Sequence, residues 1–452
     1  MNPAHPDDAN PDGPPAHGPG AYGRGVTSYR QPGTVLTDHT FRVPLDYDRP
    51  DGEHIEVFAR EVVAADKTGA GLPWLLFLQG GPGLGSPRPA GRDSWLSRAL
   101  NDYRVLLLDQ RGTGRSTPAN RRTLAKLGSP AAQAEYLALF RGDNIVRDAE
   151  LIRGEVTGGT PWSVLGQSFG GFCAVTYLSL APEGIRETFI TGGLPGLDVT
   201  ADDVYRVAYP RVSAKNTAHY ERYPVDEERA RRIARYLSGG NVRLPGGGLL
   251  SVENFQVLGR LLGTSHGSDT LHYLLEDAFD DGDLSDRFLR ETESHLTFTS
   301  GPLYAVLHEA CYAQGFATNW SAQRVRSEFP AFDPAEALEG DAPLMFTGEM
   351  MYPWMFEADP VLQPLRAAAE LLAERDSWPL LYDPIMLGAN EVPVAAALYF
   401  NDMYVDRDDS LRTAVSIRGL RPWVTSEYEH DGLRVSRGAV LDRLIQMARG
   451  NL

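Results

Sequence analysis

The sequence predicts an α/β architecture: a mostly parallel central sheet with helices on both faces, interrupted by a mainly helical cap. Three observations carry this reading. Short, continuously apolar runs occur at residues 74–78, 105–108 and 162–165. Strands covered on both faces have that character, whereas a sheet with one wet face alternates. Each run leads directly into a glycine-rich or polar turn, and helix-like sequence lies between them, which is the rhythm of βαβ units. Beyond about residue 197 the texture changes to charged, helix-forming and aromatic sequence with few strand candidates, as expected of an insertion between sheet strands.

Taken in order, residues 1–33 are crowded with Pro, Gly, Asp and Ala and are expected to form a disordered leader, because they hold too little apolar surface to bury. Residues 34–58 contain two strand-like stretches around Asp48-Arg49-Pro50-Asp51-Gly52, a segment dense in turn formers, and predict an antiparallel pair. They open the first part of the core, residues 34–196. The helical cap is expected over 197–340, with amphipathic helices at 225–237 and 270–279. The second part of the core, 341–452, is expected to contribute strands at 343–348, 394–400 and 421–425.

The chain has 452 residues and a net charge of −17, so a polyanion would be repelled and nucleic-acid binding is not expected. No apolar run reaches the roughly 18 residues needed to cross a bilayer, and the N-terminus lacks the basic start and hydrophobic stretch of a secretory signal. Cys173 and Cys311 are the two cysteines, too few for a disulfide framework. A cytoplasmic protein with neither a membrane nor a nucleic-acid partner is expected; the sequence sets no oligomeric state.

Chemistry concentrates at Gly166-Gln167-Ser168-Phe169-Gly170. A strand precedes it and a helix follows, the context that makes Gly-x-Ser-x-Gly the nucleophile elbow of the α/β-hydrolase fold. Ser168 must stand on a tight strand-to-helix turn, and only residues without bulk beside it let strand and helix approach. The backbone N–H of Phe169 then serves as one oxyanion donor. The second is assigned to Gly81, in Gln79-Gly80-Gly81-Pro82-Gly83 after the run at 74–78. The segment Asp109-Gln110-Arg111-Gly112-Thr113-Gly114-Arg115-Ser116 has glycines and arginines but neither a P-loop nor a dinucleotide spacing. It is read as a buried structural loop whose Asp109 and Arg111 satisfy backbone groups or each other.

In that order, Gln-Gly-Gly-Pro-Gly, Asp-Gln-Arg-Gly-Thr-Gly-Arg-Ser and Gly-Gln-Ser-Phe-Gly-Gly-Phe resemble the proline iminopeptidase (prolyl aminopeptidase) family, in particular its larger bacterial members. The resemblance covers nearly the whole chain after the leader. Shorter members usually carry His where Gln79 stands. It implies release of N-terminal proline from short peptides or aminoacyl amides by an acyl-enzyme route, with no metal or other cofactor.

The fold places nucleophile, acid and histidine in that chain order. Of ten histidines, His5, His17, His39 and His54 precede the nucleophile, and His219, His266, His272, His295 and His308 fall in the expected cap. His430 remains, in a loop beyond a strand. The run at 394–400 leads into Asn401-Asp402-Met403-Tyr404-Val405-Asp406, which offers Asp402 and, as the fallback, Asp406; the resemblance selects Asp402.

Recognition of a free N-terminal amine calls for a carboxylate near the nucleophile. The segment Leu307-His308-Glu309-Ala310-Cys311-Tyr312 fails the His-Glu-x-x-His zinc pattern at Tyr312. The resemblance implies Glu309 as the amine ligand, with Glu276 second. Phe255, Tyr273, Phe279, Tyr312 and Phe316 are candidates to line a proline slot. The alternative function is hydrolysis of an ester or amide of a non-peptide small molecule, since fold and triad alone do not choose a substrate.

Overall fold

The computed structural model describes residues 27–90 and 94–451. A nine-stranded sheet is built from β1 (Thr27–Gln31), β2 (Thr34–Pro44), β3 (His54–Ala64), β4 (Trp74–Leu78), β5 (Arg104–Asp109), β6 (Trp162–Gln167), β7 (Ile185–Thr191), β8 (Val394–Tyr399) and β9 (Leu420–Thr425). Their spatial order is β1-β2-β3-β5-β4-β6-β7-β8-β9. The first four pair antiparallel, and every pairing from β5 to β9 is parallel. Of the leader expected over 1–33, residues 1–26 lie outside the described residues, while Thr27–Gln31 forms the first edge strand.

The apolar runs became strands because the sheet is covered twice. On β4, Leu76 and Leu78 join the larger core, and Leu75 and Phe77 join the smaller one on the opposite face. All six residues of β6 and of β8 are buried. A fully buried Leu or Phe contributes about 1.5–3 kcal/mol, so these central strands anchor both layers. Strand β9 closes the sheet, and four of its six residues are exposed or half-buried.

Helix α1 (Gly142–Thr157) packs against α2 (Phe169–Leu180), which is buried almost throughout and follows β6 directly. Between β7 and β8 the chain is helical. The helices α3 (Ala201–Arg222), α4 (Val225–Ser238) and α5 (Gly267–Glu276) open this insertion. A capping box between Thr200 and Asp203 starts α3. Helices α4 and α5 coincide closely with the two expected amphipathic segments. Among the described residues no helix is long and apolar enough to cross a membrane.

The strand expected at 343–348 does not form, and helical sequence continues to Gly388. The apolar residues there are buried, as their composition demands. Their backbone groups are satisfied by side-chain amides instead of a neighbouring strand. Asn216 on α3 accepts from Phe346 N–H at 2.8 Å and donates to its carbonyl at 2.9 Å. Gln256 donates to the Met345 carbonyl at 2.8 Å.

The loop at 109–116 is structural, though Asp109 and Arg111 do not pair with each other. Asp109 accepts from the backbone N–H of Ser86 and Arg115 and from Arg88. Arg111 reaches Asp148 on α1 through two bonds of 2.7 and 2.6 Å and caps the carbonyls of Pro44, Leu45 and Leu139. The side chains of this pair are 0% and 1% exposed, so removal of one partner strands a buried charge. Asp148→Asn is expected to cost about 3–5 kcal/mol, measured as a drop in the denaturation midpoint. A change below about 1 kcal/mol would show that the pair contributes little.

Candidate active site

The carboxyl ends of the parallel strands converge on one crevice, where open α/β sheets bind their ligands. Ser168 stands between β6 and α2 with φ 55° and ψ −127°, a conformation that costs a non-glycine residue of order 1–3 kcal/mol. Its backbone is tied on both sides: Ser168 N–H donates to the Thr191 carbonyl at 3.0 Å, and Gly171 N–H to the Ser168 carbonyl at 2.7 Å. The flanking glycines are obligatory for space. A Cβ on Gly166 would lie 2.3 Å from the Gly170 carbonyl oxygen, and one on Gly170 would lie 1.9 Å from that of Leu78.

The loop after β4 lies across this turn. A Cβ on Gly80 would stand 2.9 Å from the Ser168 Cβ. Gln110 holds the loop from below by donating its amide to the Gln79 carbonyl at 3.0 Å. The backbone N–H groups of Gly81 and Phe169 have no hydrogen-bond partner among the described residues. They are the two groups expected to face an oxyanion.

His430 follows β9 and Asp402 follows β8, as chain order requires. His430 Nδ1 and Asp402 Oδ2 are 2.7 Å apart, which makes Nδ1 the donor. The other carboxylate oxygen accepts from the N–H groups of Tyr404 at 2.9 Å and Val405 at 3.2 Å. Asp402 is 2% exposed and His430 8%. Burial opposes the imidazolium, but the Asp402 charge and hydrogen bond outweigh it, with a contribution from Glu349, and raise the His430 pKa above the ordinary 6.5. Asp406, the fallback acid, instead caps the helix that follows it by accepting from the N–H groups of Asp408 and Asp409.

Residues 192–193 pack against both the nucleophile's backbone and the histidine ring. A Cβ on Gly193 would fall 2.4 Å from the Ser168 carbonyl oxygen, and one on Gly192 3.1 Å from His430 Nδ1. The strand end of β7 therefore supports both groups.

The two glutamates expected to bind an amine are placed very differently. Glu276 is exposed at the end of α5, 3.7 Å from Arg229. Glu309 is buried, and its two oxygens accept from Ser321 N–H at 3.0 Å and Ala322 N–H at 2.9 Å, capping the short helix there. Burial raises its carboxyl pKa in spite of those bonds. A carboxylate that the sequence reading missed lies closer to the reacting groups. Glu349 is half-buried and accepts a hydrogen bond from Tyr304. The Tyr304 backbone in turn packs on Gly83 of the oxyanion loop, where a Cβ would stand 2.6 Å from Tyr304 N. The signal was available, since Glu349 directly follows an apolar run, as Asp402 nearly does.

Of the aromatics proposed for a proline slot, Tyr312 reaches the nucleophile helix, 5.9 Å from Phe172 between ring centroids. Phe255 packs within the cap against Phe288 and Phe346, Phe279 packs on Tyr236, and Tyr273 is exposed.

Residues 73–217 match the α/β hydrolase fold family. A proline iminopeptidase of Aeromonas sobria is 50% identical over 422 residues, covering 93% of this chain and 98% of the relative. The chain belongs to the proline iminopeptidase family. A second relative, the proline iminopeptidase aneH of Aspergillus aculeatus, is 37% identical over 93% of this chain and 95% of its own. Among solved structures, a proline iminopeptidase-related protein from Thermus thermophilus is 14% identical, covers 91% of this chain and 97% of that one, and superposes with a TM-score of 0.38.

The glycine contacts make a specific claim about this family member. Gly170→Ala would drive a methyl group into the β4 backbone, which no side-chain rotation relieves. It is expected to destabilise the protein by about 3 kcal/mol or more, at or beyond the upper end for overpacking, and to lower Tm. A Tm unchanged from the parent would refute the packing described here.

Proposed function

We propose that the chain is a serine aminopeptidase that releases N-terminal proline from peptides and prolyl amides. The observation that carries this is the Asp402–His430 pair that follows the sheet strands beside the Ser168 turn, with Glu349 joined through Tyr304 to the oxyanion loop. The proline iminopeptidase names of relatives 50% and 37% identical over most of the chain support the same reading.

In this reaction Ser168 Oγ attacks the prolyl carbonyl carbon while its proton passes to His430 Nε2. Their hydrogen bond forms in the reacting complex. The carbonyl oxygen becomes an oxyanion held by the N–H groups of Gly81 and Phe169. Collapse breaks the C–N bond, and His430 returns the proton to the departing amine. Water then attacks the prolyl ester, giving its proton to His430 and regenerating Ser168 as free proline leaves. Asp402 fixes the tautomer that leaves Nε2 free to accept, and it stabilises the imidazolium.

Glu349 receives the substrate ammonium in this proposal, and Glu309 braces the pocket wall behind Tyr312. Tyr205 and Tyr312 sit edge to face with centroids 6.4 Å apart, and Tyr312 meets Phe172 in the same way, an aromatic cluster whose Tyr312 and Phe172 can pack against a pyrrolidine ring. Cys173 and Cys311 are both free and buried, which supports a reducing compartment such as the cytoplasm.

Amine recognition is tested with proline anilide and its N-acetylated form, the second expected to resist cleavage. Glu349→Gln removes a charge-assisted bond of about 1.5–3 kcal/mol, so KM for proline anilide should rise about tenfold to a hundredfold with a smaller change in kcat. Equal cleavage of the blocked substrate would overturn the aminopeptidase reading. A KM rise confined to Glu309→Gln would return the amine role to that residue.

The acid limb of kcat/KM reports His430. Only the neutral ring accepts the serine proton, and its pKa is raised, so activity should fall with decreasing pH through a value above 6.5. Asp402→Asn removes the group that raises it. The limb should move to lower pH while kcat drops by about 10⁴, the scale seen when a triad acid is neutralised. An unmoved limb would separate His430 from the titration.

A further inference from the structure

The residues on either side of His430 are fastened to the helical insertion between β7 and β8. Asp431 accepts from the Ser265 hydroxyl at 2.6 Å, and its two carboxylate oxygens lie 3.1 and 3.3 Å from the Ser265 N–H. Glu429 pairs with Lys215 on α3, the ammonium standing 2.6 Å from a carboxylate oxygen. Between them the backbone N–H of His430 donates to the Gly263 carbonyl at 3.3 Å.

The loop that carries Asp402 leans on the same stretch. Tyr404, whose N–H donates to Asp402, gives its hydroxyl to the Arg260 carbonyl. Its ring meets the His430 ring edge on, with centroids 4.8 Å apart. A Cβ on Gly263 would fall 2.2 Å from the Tyr404 ring. Residues 260–265 therefore press on Tyr404 and hold the histidine loop at once.

These ties matter because Asp402 holds the His430 ring through Nδ1, a single contact about which ring and backbone can still pivot. The turn's own bonds, from Gly432 N–H to the Glu429 carbonyl at 3.0 Å and from Arg434 N–H to that of Asp431 at 2.8 Å, fold it on itself. Both carboxylates that flank the histidine turn to the insertion instead. A reacting group displaced by about 1 Å can lose about a hundredfold in rate.

We propose that Ser265 and Lys215 are positioning residues for His430. By holding Asp431 and Glu429 they set where the histidine backbone stands relative to the Ser168 turn. Ser265 carries most of this, since a half-buried hydrogen bond to a carboxylate outweighs an ion pair near solvent. The insertion is then needed for the proton transfer itself, besides any contact it makes with substrate. This rests on the triad reading above.

Steady-state kinetics of the full-length protein on proline anilide test the proposal. Ser265→Ala should lower kcat by about ten- to a hundredfold with KM little changed. Ser265→Thr, which keeps the hydroxyl, should recover most of that loss. The acid limb of the pH profile should stay at the parent's position in Ser265→Ala, because the Asp402–His430 contact is intact. Lys215→Met, on a different element, should lower kcat by about two- to fivefold, the range of a pair near solvent. Should Ser265→Ala fail to fold, Asp431→Asn, which keeps the shape and weakens the bonds, decides together with Lys215→Met. An unchanged kcat, a loss that threonine does not restore, or a loss explained by KM would overturn the positioning role. Turnover of proline anilide retained in His430→Ala would instead overturn the triad reading beneath it.

Discussion

The backbone of Ser168 is the constraint on which the rest of the site depends. At φ 55° and ψ −127° it occupies a region that an isolated chain would leave at once. It persists because β4, β6, β7 and α2 are pressed together around it. The glycines at 166, 170 and 193 are where that pressure is taken up, since each lies against a backbone carbonyl at a separation no side chain permits. The two buried clusters on either face of the sheet hold these strands in place. The geometry of one hydroxyl is thus maintained by packing distributed over both layers, while the same packing sets the oxyanion loop above it and residues 192–193 against both the serine backbone and the histidine ring.

Six carboxylates in this molecule illustrate two ways of being paired. Asp109, Asp406 and Glu309 are saturated largely by backbone N–H groups, and Asp148 by Arg111 and Tyr47. Each ties chain segments together and leaves little capacity for a substrate. Asp402 differs because two backbone amides hold one of its oxygens and the other faces a titratable ring. Glu349 differs because its partner is a tyrosine hydroxyl and it is only half-buried. The distinction follows from solvation: a carboxylate removed from water must be paired, and the identity of its partner decides whether it holds structure or can take part in chemistry.

This distinction also explains what the sequence reveals. The parallel strands were legible because burial on both faces writes an unbroken apolar run. Ser168 and His430 were legible because motif and chain order leave each a single place. The run at 343–348 misled for a physical reason, as buried apolar residues carry the same composition whether their backbone pairs with a strand or with the amides of Asn216 and Gln256. Glu309 carries a similar ambiguity. A glutamate that caps a helix further along the chain is indistinguishable in sequence from one awaiting a ligand. Glu349 was hidden by the same misread strand, because a residue at its end was not sought as part of the site.

In the proposed aminopeptidase, the segment 298–304 links the oxyanion loop to the carboxylate assigned to the amine. Tyr304 touches the oxyanion loop through its backbone and Glu349 through its hydroxyl, while its ring meets Phe298. A carboxylate tethered this closely to the oxyanion loop can hold an ammonium only when it lies within one residue of the carbonyl under attack. A chain extended further toward its N-terminus would bring a neutral amide to a half-buried anion and leave that anion unpaired, a penalty of a few kcal/mol that rejects it. In the proposed reading, the preference of an exopeptidase for a chain end thus follows from one short stretch, closed by charge at the amine end.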